Sequence, residues 1–351
     1  MTSTLPARIA LTLGLAAAAG FLCRWLHTPL PWMIGPLVAT AGASIIGFPT
    51  RSFVPFRNAA QAVIGVALGL YFTPGVTKLV AGVWWAILLA IVWALAMGWV
   101  FGRWLYRMEA GRIGGSEQQR RATTFFAGSI GGASEMTLLA EREGARSELV
   151  AASHSLRMLI VTLVVPFAIT AAGLHGADLT LPGAREVRWG GLALLFTGAL
   201  AASWLMERTG RANPWFLGAL FCSMATTMAG FEPSAMPQFL SNSAQVVIGV
   251  SLGVRFSAEF VRTAPRWLLA VAVGTFTMVV LCACFAVALS WVSGLHWATL
   301  VLGTSPGGIT EMAITAKVLQ LGVPVVTAFQ VCRLVAVLLL IEPLYRRGFM
   351  R

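Results

Sequence analysis

"GSIGGASEM", residues 128–136, and "TSPGGITEM", residues 304–312, write one phrase twice in a single chain. Each sets a small hydroxyl residue before a Gly-Gly pair, then a Glu-Met pair whose carboxylate lies three residues beyond the second glycine. Both choices are costly in lipid: a glycine weakens a helix by roughly 1 kcal/mol, and an ionisable group at mid-membrane costs on the order of 3 kcal/mol on insertion scales. The cost matters because everything around the phrase is apolar. Of 351 residues, 58% are hydrophobic and 11% charged, less than half the charged share of about 25% usual in soluble domains. Runs such as "VWWAILLAIVWALAMGWVFG" (83–102) and "LLAVAVGTFTMVVLCACFAVALSWVSG" (268–294) are long enough for a hydrocarbon core of roughly 30 Å. An ordinary water-soluble fold is excluded, and the fold class is an all-α polytopic membrane protein.

The net charge of +12 does not point to nucleic acid. The basic residues stand in short loops at the ends of apolar runs, where membrane orientation accounts for them, and no loop is long enough for a folded nucleic-acid-reading module. Five cysteines, Cys23, Cys222, Cys282, Cys284 and Cys332, lie in or beside apolar runs, which reads as buried small apolar residues, not disulfides. The thiols of "CAC" (282–284) are about 200° apart on a helix, so they cannot share a metal. The N-terminus has the look of a signal peptide, but the repeat described next gives it a partner mid-chain, so it is expected to be the first membrane helix.

The chain is internally duplicated. "PWMIGPL" (31–37) matches "PWFLGAL" (214–220), "NAAQAVIGVALGLYF" (58–72) matches "NSAQVVIGVSLGVRF" (242–256), and the Gly-Gly blocks match at an offset of 176, at which Arg157 also falls on Arg333. Residues 1–172 are therefore expected to form a first membrane repeat, 173–188 a linker, and 189–351 a second repeat. The first half predicts helices at 8–26, 31–47, 54–72, 79–105 and 148–172, with the Gly-Gly block at 122–143. The second predicts 189–206, 214–230, 238–256, 266–293 and 323–344, with its block at 298–320.

Loop charges distinguish two topologies. If both blocks enter and turn back, each half has five crossings and the halves are inverted. With the N-terminus inside, 18 basic residues then lie in cytoplasmic loops, 5 outside and 2 within the membrane. If both blocks cross, the halves are parallel and the split is 13 against 10. The positive-inside rule selects the inverted arrangement: two inverted repeats of five transmembrane helices plus one Gly-Gly re-entrant hairpin or broken helix each. Each arm of a block has some ten residues, about 15 Å of helix, so the tips would meet near the midplane.

A backbone turn at that depth survives only in a wet cavity or wrapped in protein. Gly131, Gly132, Gly307 and Gly308 are expected to supply positive φ values and close backbone approach. Ser129, Ser134, Ser305 and Thr310 would add hydroxyls, and Pro306 opposite Ile130 makes the tips unlike. Glu135 and Glu311 either cap the helices that follow or take up a proton or cation, and one role does not exclude the other. Arg157 and Arg333, about ten residues into the last helix of each half, either pair with those glutamates or aim a guanidinium fork at a carboxylate substrate. His154 and Gln330 hold matching places one turn earlier, suggesting a polar face without shared chemistry. Asn58 with Gln61, and Asn242 with Gln245, each lie on one helical face, as interhelical glue or as substrate contacts. Gly65 with Gly69 and Gly249 with Gly253 form seams for close packing.

Inverted halves with broken elements converging at the midplane are the recurring plan of secondary transporters. In that plan the two hairpins, the Asn-x-x-Gln helices and the arginine helices form the moving core. The Pro-Trp-x-x-Gly, "AQ-x-VIGV-x-LG" and "GG-x-x-EM" blocks also resemble the AbrB membrane family, over about residues 8–345. Its members often carry two copies of one domain and bear the labels ammonia monooxygenase or AbrB-type regulator. The architecture is similar to the wider group of inverted-repeat cation/proton antiporters and anion transporters. A monooxygenase needs a copper or iron site built largely from imidazoles, and His27, His154, His175 and His296 have no metal-ligand spacing; no catalytic or metal residues are expected, and no enzyme activity. The expected function is secondary transport of a small charged solute in the bacterial inner membrane, both termini cytoplasmic; the alternative is a membrane sensor or regulatory protein. Expected partners are the lipid bilayer, a small-molecule or ion substrate and a second copy in a homodimer. Expected cofactors are none beyond a coupling proton or Na+.

Overall fold

The computed structural model describes residues 5–174, 186–210, 213–256 and 264–349, and among these all regular structure is helical. The first half contains α1 (Leu5–Trp25), α2 (Pro31–Ile45), α3 (Val54–Gly69), α4 (Pro74–Gly82), α5 (Trp84–Glu109), α6 (Glu117–Gly128), α7 (Ala133–Arg142) and α8 (Ser147–Ala171). The second contains α9 (Trp189–Arg208), α10 (Pro214–Met228), α11 (Gln238–Gly253), α12 (Pro265–Ser293), α13 (Trp297–Thr304), α14 (Ile309–Leu319) and α15 (Val323–Leu344), ending in a π turn, Tyr345–Phe349. The expected linker, 173–188, lies largely outside the described residues.

Six described helices, α1, α5, α8, α9, α12 and α15 with its terminal turn, are long and apolar enough to cross a membrane. Large apolar side chains stay exposed along them, and tryptophans stand bare near helix ends: Trp25, Trp84, Trp189 and Trp291. That surface suits lipid with an aromatic belt at its borders, and the chain is a helical membrane protein. Helices α2, α3, α10 and α11 are shorter than the sequence predicts, 15 or 16 residues each, or about 23 Å at 1.5 Å per residue. The single helix expected over 79–105 is also broken. A separate α4 starts at Pro74 and ends at Gly82, bent by 88° from α3, because proline starts a helix readily and glycine ends one cheaply.

The chain divides into two compact units, each drawn from both halves. Unit 1 comprises Met1–Ala81, Pro166–Arg262 and Ala313–Pro324; unit 2 comprises Gly82–Val165, Thr263–Met312 and Val325–Arg351. In unit 1 the repeats interlock: α3 packs on α10 of the other half, and α11 packs on α2. A β-carbon at Gly65 would lie 2.5 Å from the Phe216 carbonyl oxygen, and one at Gly249 would lie 2.5 Å from that of Met33. Gly69 lies as close to Leu220 and Ser223, Gly253 to Leu37 and Thr40. The expected seams are therefore real, and each is written twice. Gly35 closes α2 on α1 at Ala19, and Gly218 closes α10 on α9 at Ser203.

Candidate functional site

Unit 2 holds both Gly-Gly tips and both buried arginines. Arms α6 and α13 stop at Ser129 and Ser305. Both serine hydroxyls turn back on their own arm: Ser129 Oγ donates to the Phe125 carbonyl at 2.8 Å, and Ser305 Oγ reaches the Leu302 carbonyl at 3.3 Å and Met312 Sδ at 3.0 Å. They secure the helix ends.

The tips explain the motif residue by residue. None of Gly131, Gly132, Gly307 and Gly308 takes a positive φ, and Gly132 has φ −67°, ψ 140°, which corrects the expectation from sequence. These glycines instead leave room for the side chains that follow them. A β-carbon at Gly131 would fall 2.9 Å from Met136 Cε, and one at Gly307 would fall 3.0 Å from Met312 Cε. A β-carbon at Gly132 or Gly308 would overlap Oε2 of Glu135 or Glu311. The next helices start immediately afterwards, with Gly132 as the cap of α7 and hydrogen bonds from Met136 N to Gly132 O (3.0 Å) and Met312 N to Gly308 O (3.1 Å). Each glutamate is thus the third residue of its helix and folds its carboxylate back over the capping glycine, where the N–H groups of the first turn favour negative charge. Glu311 and Thr310 are buried; Glu135 is half-buried and Ser134 exposed.

The first block folds back on itself. Gln119 Nε2 at the start of α6 donates to the Gly144 carbonyl just beyond α7 (3.1 Å), and Arg146 N donates to Thr123 Oγ1 (2.9 Å). The outer ends of its two arms are therefore side by side. The arms measure about 18 and 15 Å at 1.5 Å per residue, for 12 and 10 residues; those of the second block have 8 and 11 residues.

Behind the tips, His154 and Gln330 share a task that the sequence reading did not assign. His154 Nε2 donates to the Phe126 carbonyl (2.9 Å) and its Nδ1 accepts from Arg157 Nη2 (2.6 Å). Gln330 Nε2 donates to the Leu302 carbonyl (2.7 Å) and its Oε1 accepts from Arg333 Nη2 (2.5 Å). Guanidinium only donates, so the imidazole is held as the Nε2–H tautomer. The four positions correspond at the same offset of 176, which was the available signal. An imidazole and an amide each place a donor opposite an acceptor, an equivalence that residue identity conceals.

The two arginines then diverge. Arg333 grips its tip: Nη1 donates to Ser305 O (2.6 Å) and Nη2 to Gly307 O (2.9 Å). Arg157 has buried Nε and Nη1 atoms without any hydrogen-bond partner. Asn58, Gln61, Asn242 and Gln245 are not part of this cluster. They belong to unit 1, where Gln238 Nε2 donates to Asn242 Oδ1 (3.0 Å) and Gln245 is buried. Unit 1 also includes Ala313–Pro324, the outer part of the second block, where Lys317 Nζ donates to Ser241 Oγ on α11 (3.1 Å), so the Asn-x-x-Gln helices share a unit with that arm and not with the tips.

YhjN of Bacillus subtilis (strain 168) is 24% identical across 95% of this chain and 91% of its own length. A protein of Escherichia coli (strain K12), named as an AbrB regulator, is 26% identical across 93% of this chain and 92% of its own. Residues 32–348 match the family described as transition state regulatory protein AbrB, and the chain belongs to that AbrB family.

Proposed function

We propose that the chain is a secondary transporter of a small charged solute in the bacterial inner membrane, with its site at the two Gly-Gly tips of unit 2. In this reading the halves are inverted, both termini are cytoplasmic, and Glu135 and Glu311 couple movement to a proton or Na+. The observation that carries the reading is the duplicated tip. Two helix starts, each with a carboxylate folded over its cap, share one unit with two buried arginines, and ionisable groups at membrane depth ordinarily mark a solute path. The interlocked glycine seams of unit 1 suit a rigid body, whereas a capping carboxylate can release its helix when protonated.

The name of the Escherichia coli relative favours one other reading, a membrane sensor that affects gene expression without carrying anything. Comparing metabolites in cells with and without the gene selects solutes, and flux into vesicles containing the purified chain then separates the two. The transporter loses flux in Glu135→Gln and Glu311→Gln while remaining folded. A sensor shows no flux in any variant, including wild type, and that result would end the proposal.

A further inference from the structure

We infer that the solute is a small oxyanion, foremost a carboxylate, that binds Arg157, and that Arg333 is a clamp on the second tip and not a ligand. Naming this anion as the transported species rests on the function proposed above; its binding does not.

The inference starts from unequal hydrogen bonding at two matched positions. Arg157 is 2% exposed and Arg333 6%. Arg333 spends its Nη groups on two tip carbonyls and on Gln330. Arg157 spends one N–H on His154, leaving the N–H of Nε and both N–H groups of Nη1 buried and unmatched. Native interiors rarely retain orphaned donors, and a buried cation without acceptors costs several kcal/mol. Such a group persists where an acceptor arrives with a ligand.

Its position is that of a ligand group. Through His154, the Arg157 turn of α8 is tied to the Phe126 carbonyl of the first hairpin. The following residues touch the second: Met158 Cε lies 3.1 Å from a β-carbon built on Gly308, and Val161 Cγ1 lies 3.0 Å from one on Gly307. Arg157 thus stands where both broken elements reach α8, one turn before the Val161 contact with Gly307, whose carbonyl Arg333 grips. Two neighbouring guanidinium groups favour an anion there. The acids of the two elements, Glu135 and Glu311, fold over their own capping glycines. A guanidinium has planar N–H geometry that matches carboxylate, sulfate and phosphate oxygens, and His154 fixes its orientation as a positioning residue.

The test uses the purified full chain in detergent, following thermal unfolding with sodium salts of succinate, citrate, sulfate and phosphate, each against sodium chloride at equal ionic strength. At least one oxyanion is expected to raise the midpoint saturably. Arg157→Gln abolishes the shift, Arg157→Lys weakens the Kd at least tenfold, and Arg333→Lys retains the Kd within a few-fold. If Arg157→Gln does not fold, the Kd of Arg157→Lys decides. Carboxylates acting where sulfate and phosphate do not identifies the carboxylate, and the converse identifies the tetrahedral anion. The inference is overturned if no oxyanion shifts wild type, if chloride gives the same saturable shift, or if the Arg157 variants keep the wild-type Kd. Offering the same salts to proteoliposomes separates the two claims. Flux of another solute without an oxyanion shift leaves a transporter and removes the anion site, whereas a shift without flux leaves the site and removes transport.

Discussion

The two Gly-Gly blocks share a frame and differ in use. Each has a serine that ties off the incoming arm, a first glycine against a methionine, a second under a carboxylate, and an arginine behind. In the second block the tip glycine Gly307 is buried and its carbonyl, with that of Ser305, is gripped by Arg333. Pro306 sits between those carbonyls, with fixed φ and no N–H of its own. In the first, Ile130 takes that place, Gly131 is half-exposed, and Arg157 keeps spare donors. The duplication thus preserved the broken helix while the arginine duties separated, one copy made rigid and the other left open.

The largest expected effect is a contrast in stability. Arg333→Gln leaves two buried carbonyls unmatched, at about 1–3 kcal/mol each, and should destabilise, whereas Arg157→Gln discards an unmatched cation and should leave stability unchanged or raise it. Equal losses in detergent unfolding would erase the distinction between the hairpins. Next come the first glycines. Alanine at either should cost about 1–3 kcal/mol by overpacking, with Gly307→Ala the worse because its β-carbon meets Val161 as well as Met312. Exchanging one copy's solution for the other's is smaller: His154→Gln should be nearly neutral, while His154→Leu leaves the Phe126 carbonyl unmatched and should cost about 1–3 kcal/mol. A large loss in His154→Gln would show that the imidazole does more than hold Arg157.

The smallest effect concerns the outer end of the first hairpin. The Tyr106 hydroxyl, and then Arg121, hold the exposed Glu117 carboxyl down at about 2 from its ordinary 4.5. A depressed carboxylate contributes stability above its ordinary pKa and loses it as pH falls through the lowered one. Glu117→Gln should therefore lower stability slightly at neutral pH and flatten the acid limb between pH 4.5 and about 2, where the variant and wild-type profiles converge.

Much of this was legible in the sequence because the protein says it twice. Matched blocks located both helix breaks, the glycine seams and the paired arginines. The break before Trp84 escaped because the apolar run through Gly82 has no polar interruption. The partners of the Asn-x-x-Gln helices, Phe216 for Gly65 and Met33 for Gly249, are fixed by interlocking at long range, which no local pattern records. Positive φ was expected at the tip glycines because glycine permits it; the need there is for room, set by Met136 and Met312 five residues on. The inequality of Arg157 and Arg333 was hidden for a similar reason, since identical residues at matched positions say nothing about which carbonyls turn toward them.

Side-specific labelling tests the central claim most directly, namely that two half-depth hairpins enter from opposite faces. In a chain with its five native cysteines replaced, single cysteines at Gly114 and Ala145 flank the first hairpin, and at Leu295 and Gln320 the second. In oriented vesicles, an impermeant maleimide should reach the first pair from one face and the second pair from the other. A pair divided between the two faces would mean that its block crosses the membrane, and both pairs on one face would mean parallel halves; either result contradicts the account.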